Sequence, residues 1–80
     1  MNEETQGRSP SVVAWYRALY EESALLDDPE GYTALLLAQA EALYVAGEVD
    51  AAERRDMRES IDAAYASAVE ELLTRELHQR

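Results

Sequence analysis

Apolar residues recur every three or four positions along most of this chain, the spacing that gathers side chains on one face of an α-helix. Three segments carry the pattern. In the first, Val12, Trp15, Tyr16, Leu19, Ser23 and Leu26 fall on one line, and Val13 and Tyr20 widen it. Ser9-Pro10 opens the segment: a side-chain cap is followed by a proline at the first helical position, where a missing amide costs nothing. Asp27-Asp28-Pro29 closes it, because a residue before proline is pushed out of the helical region. A helix over about 10–27 is predicted.

The Asp28-Pro29 pair also opens the second segment, with Glu30 in the first turn, where a negative charge meets the positive end of the helix dipole. Gly31 weakens that turn by about 1 kcal/mol relative to alanine. Tyr32, Leu35, Leu36, Leu43 and Ala46 form one stripe, with Leu37, Ala40 and Tyr44 beside it. So wide an apolar arc predicts the best-buried helix of the fold, over about 29–46 and covered on more than one side.

The third segment, about 51–78, contains no proline or glycine. Its inward face is expected to hold Met57, Ile61, Ala64, Tyr65, Ala68, Val69 and Leu72, with the alanines permitting close approach to the second helix. Arg55 with Glu59, Arg58 with Asp62, Glu71 with Arg75 and Glu76 with Arg80 are spaced to pair along it, each worth a few tenths of a kcal/mol. At about 1.5 Å per residue this helix reaches roughly 40 Å against roughly 27 Å for the second. Its last turns, with Leu72, Leu73 and Leu77, are therefore expected to overhang and to offer a homodimer contact.

Between the second and third segments lies the corner Ala46-Gly47-Glu48-Val49-Asp50-Ala51-Ala52-Glu53. Gly47 can take the left-handed conformation that closes a helix. Asp50 can cap the next one, and Glu53, three residues on, can reach back to the cap amide. The expected architecture is an all-α three-helix bundle: helices two and three form an antiparallel hairpin, and helix one packs across them. Residues 1–8, polar and without periodicity, read as a disordered tail, and 9–80 as a single helical domain.

Charge changes this picture most. Of the chain's 80 residues, 17 are acidic and seven basic, all seven being arginine, for a net charge of −10. From Ala18 to Glu53 there are nine acidic residues and no basic one. Direct binding of nucleic acid or an anionic membrane is disfavoured, since phosphate contacts need a positive face. The natural complement is an electropositive protein. Without cysteine there is neither a disulfide framework nor a thiolate metal site, which favours a cytoplasmic home. The acidic N-terminus lacks the basic and apolar regions of a signal peptide. The apolar run Ala34 to Ala38, broken by Gln39 and Glu41, is too short to span a membrane. An alanine-rich, lysine-free composition is associated with high-GC bacterial or phage genomes.

Catalysis has little to stand on, and no enzymatic activity, metal or cofactor is expected. The single histidine, His78, lies near a fraying end. Asp27, Asp28 and Glu30 lack the ligand spacing and glycine of a calcium loop, and capping already explains them. Gly7, Gly31 and Gly47 are scattered, so no phosphate loop forms, and no serine sits in a nucleophile elbow. Arg54, Arg55 and Arg58 follow a tight turn, but Glu53, Asp56 and Glu59 interleave them, which reads as a salt-bridged helix face rather than a DNA-reading one.

Binding is the better reading. Trp15, Tyr16 and Tyr20, beside Glu21 and Glu22, form a candidate aromatic anchor of the kind enriched at interfaces. With Asp27, Asp28 and Glu30 they make up the expected partner-binding set. The function class that follows is a protein–protein interaction module: an adaptor, regulatory subunit or inhibitor. The alternative is a phosphate-mimicking inhibitor of a nucleic-acid-binding protein, of the anti-restriction or anti-CRISPR type.

Overall fold

In the computed structural model, which describes residues 8–78, the described residues are all-α and form four helices: α1 (Pro10–Leu19), α2 (Glu22–Asp27), α3 (Pro29–Val45) and α4 (Ala51–His78). Residues 1–7 of the expected tail and Arg80, the expected partner of Glu76, lie outside the described residues. Arg8 is within them and pairs with Glu53 on α4.

The sequence-encoded caps form where they were expected. Ser9 Oγ accepts from the Val12 amide at 3.2 Å, Asp28 Oδ1 from Gly31 at 3.0 Å and Asp50 Oδ1 from Glu53 at 2.8 Å. At the end of α3, Gly47 adopts φ +77°. Its amide donates to Tyr44 O at 3.0 Å and that of Glu48 to Leu43 O at 2.9 Å, the paired bonds of a Schellman stop. The chain then turns Val49 into the core before α4 begins. Glu53 does not close a capping box; its carboxylate accepts from Arg8 and from the Tyr16 hydroxyl instead.

The core is built from Val12, Trp15 and Leu19 of α1, Leu36, Ala40 and Leu43 of α3, Val49, and Met57 and Ile61 of α4. Leu25 and Ala68 are buried beside it. Trp15, 3% exposed, donates its indole N–H to Leu36 O at 2.9 Å, so its one polar atom is satisfied inside. Tyr32 donates to Ala18 O at 2.8 Å and ties α3 to the end of α1.

Two expectations are corrected. The helix expected over 10–27 breaks at Tyr20-Glu21, with no proline or glycine to break it. An uninterrupted helix would carry Leu26 on the line of Val12 and Leu19, with Leu25 turned about 100° away. The break changes the register, so that Leu25 is buried, Leu26 half-buried and Ser23 exposed. The second correction concerns α3, which is covered on one side only. Thr33, Leu36, Ala40 and Leu43 face inward, whereas Leu35 and Ala46, expected on the buried stripe, are exposed. The described backbone is a slab of 48 × 28 × 16 Å, one helix layer laid on another with none left for the far side of α3.

Candidate interaction surface

The break at Tyr20-Glu21 shapes the surface around the expected site. It turns α2 across α4 and leaves Tyr20 standing out, 79% exposed, while α1 keeps Val12, Trp15 and Leu19 inside. A groove of about 440 Å³ opens between α2 and α4. Leu19, Leu25 and Leu26 form one wall, and Ala63, Ala64, Ser67 and Ala68 the other; Glu22 and Glu71 are its ionisable lining residues apart from Tyr20. Carboxylates gather along the corner from α1 to α3. Glu21, Glu22, Asp27, Asp28 and Glu30 are all exposed, and none is ion-paired with a cation among the described residues.

Arg8, Arg54, Arg58 and Arg75 are engaged elsewhere. Arg54 and Arg58 reach across from α4 to Glu41 on α3, and Arg54 also lies 4.1 Å over the Tyr44 ring. Arg58 therefore does not pair with Asp62. Along α4, Arg75 meets Glu71 at 3.4 Å. At the foot of α1, the Arg8 guanidinium lies 5.0 Å from the Tyr16 ring centre and shares Glu53 with the Tyr16 hydroxyl, which donates at 2.8 Å. Its hydrogen bond to Glu53 raises the Arg8 pKa. Partial burial, then the carboxylate partner, push the Tyr16 phenol above its ordinary value of 10.0.

Each expected site residue thus has a definite place. Trp15 is a core residue and cannot serve as a surface anchor, because its ring and its N–H are both consumed inside. Tyr16 is half-buried, edge-on to Trp15 at 5.1 Å, and its hydroxyl is engaged. Tyr20 alone of the three aromatics keeps an open ring. Asp28 is split between the acidic corner and its capping role. Leu26, expected on the apolar face of the first helix, lines the groove beside Tyr20 with Ala63 and Ser67, which nothing in the sequence marks, since the groove exists only because α2 leaves the axis of α1.

Among the described residues, no cluster of three or more histidine, cysteine or carboxylate groups could hold a metal ion. Among them, too, no helix is long and apolar enough to cross a membrane. Leu73 and Leu77, at the far end of α4, are exposed, Leu77 to 72%. No family model, curated protein or solved structure matches the chain.

Proposed function

We propose that this chain is a non-enzymatic protein–protein interaction module, an adaptor, regulatory subunit or inhibitor, that docks an electropositive partner on its acidic corner. The observation that carries the reading is the division of charge. The arginine–carboxylate pairs hold the segment before α1 to α4, hold α3 to α4 and brace the end of α4, leaving Glu21, Glu22, Asp27 and Glu30 exposed and without a cation partner among the described residues. Clustered like charges reinforce one another's field, so a cationic surface gains most by settling there. Tyr20 and the groove beside it add an aromatic and apolar contact that charge alone would lack. We read α3 and α4 as an antiparallel hairpin on which α2 and this corner rest, in a cytoplasmic protein of bacterial or phage origin.

A second reading rests on the same carboxylates. The stretch from Glu21 to Glu53, without a basic residue, would occupy phosphate sites in the basic groove of a nucleic-acid-binding protein, as an anti-restriction or anti-CRISPR inhibitor does. One experiment separates these outcomes: the chain is used as bait in bacterial lysate and eluted over a rising salt gradient. Release at modest salt, lost when Glu21→Gln and Glu22→Gln are introduced, supports the acidic corner; if the released proteins bind nucleic acid, the mimic reading is favoured. A partner that survives high salt but is lost with Tyr20→Ala places the contact in the apolar groove. Retention indifferent to both sets of changes overturns the assignment of this surface.

A further inference from the structure

The outward face of α3 is apolar and bare. Leu35, Ala38, Gln39, Ala42, Val45 and Ala46 fall at i, i+3, i+4, i+7, i+10 and i+11, which is one helix face. All six are exposed, Leu35 to 50% and Val45 to 82%. Leu35, Ala38, Ala42 and Val45 each follow a buried position by two residues, about 200° around the helix. The helix thus carries two apolar faces back to back, and the fold covers one. A helix apolar all round is normally enclosed, and a contiguous apolar face of this kind marks a contact surface.

We propose that a second copy of this chain covers the face, in a two-fold dimer with the α3 helices at its centre. Charge selects the occupant. The chain carries −10, and carboxylates stud its other surfaces, but none of these six residues is ionisable. On these six residues a cationic partner finds nothing to pair with, whereas two copies of the α3 ridge meet without opposing carboxylates. Shape agrees, because a two-fold contact needs a surface complementary to itself. A hollow of about 630 Å³ runs between α1 and α3, floored by Trp15 and Leu43 and walled by Ala14, Ala18 and Ala42; among the described residues Glu48 is its only ionisable lining residue. The ridge of Leu35, Ala38, Ala42 and Val45 stands beside it on α3. Ridge and hollow lie on one surface, as mutual docking requires, and the alanines let helices approach to about 8 Å.

The size of the face sets the strength. A helix of 17 residues with α1 alongside presents on the order of 500 Å² per copy. Two copies then bury about 1,000 Å², the lower limit for a specific contact, which fits micromolar rather than nanomolar association. Repulsion between two chains of −10 opposes the dimer, so added salt tightens it. That is the opposite sign to partner binding on the acidic corner, and the two readings can fail separately.

The test is sedimentation equilibrium of the full chain at low and high salt, at protein concentrations up to about 1 mM. A reversible dimer is expected, tighter in salt and weakened more than about tenfold by Ala42→Glu or by Val45→Glu. Both positions are exposed, so circular dichroism should show unchanged helicity. A monomer at every concentration overturns the proposal, as does a dimer that salt loosens. A dimer indifferent to both substitutions, or one dissolved instead by Leu77→Glu at the end of α4, overturns it by moving the contact elsewhere.

Discussion

At the scale of single residues, Gly31 shows how a local preference can mislead. Alanine is the better helix former by about 1 kcal/mol, so Gly31 reads as a weakness in the first turn of α3. Yet a Cβ at Gly31 would sit 2.1 Å from Asp28 Oδ2, displacing the side chain that caps the same helix. Gly31→Ala is therefore expected to change stability little, its gain in propensity offset by a cap worth about 1 kcal/mol. In an Asp28→Ala background the same change should stabilise by about 1 kcal/mol; a urea double-mutant cycle without coupling would disprove the link. Tyr16 gives the chain a pH dependence. Its phenol titrates higher in the folded chain than in the unfolded one, because burial disfavours the phenolate and Glu53 accepts from the neutral hydroxyl. The stabilisation is complete below the ordinary value of 10.0 and is lost as pH rises through the folded value. Thermal melts from neutral to strongly alkaline pH should show a fall in stability that is shallower in Tyr16→Phe.

At the scale of elements, the caps were legible because each is written in three or four adjacent residues: Ser9 to Val12, Asp28 to Gly31, Asp50 to Glu53. The break between α1 and α2 was not. Nothing local forbids a helix through Tyr20-Glu21; what decides is that Leu25 gains more by reaching the core than the chain loses in a few hydrogen bonds. Leu25 is then the peg that holds a six-residue helix too short to stand alone. Leu25→Ala should cost about 2–3 kcal/mol and release α2, seen as faster amide exchange over 22–27 than over α3. Uniform exchange across both helices would show instead that α2 belongs to the same cooperative unit.

At the scale of the molecule, charge and thickness govern behaviour. A net charge of −10 on 80 residues makes the folded state repel itself. Its ion pairs are largely exposed and few, each worth under about 1 kcal/mol, so screening removes more repulsion than attraction. Added sodium chloride should raise the melting temperature of the dilute protein, and a lowered one would mean that the arginine contacts at Glu41 and Glu53 dominate. A slab 16 Å thick also cannot bury a helix on two sides, which is why α3 shows water an apolar face that its sequence marked for cover.

Periodicity, caps and the glycine stop were sufficient for the helical class, the corner at Gly47 and the inward residues of α4, because each depends on neighbours within a turn or two. Residue counts alone established the acidic balance and the arginine-free stretch. Tertiary structure alone decided which of two apolar faces of α3 goes inside, that Trp15 is core while Tyr20 is surface, and that Glu41 and Glu53 gather Arg8, Arg54 and Arg58. Those choices turn on contacts between residues far apart in the chain, where burial of one side chain is gained at the expense of another.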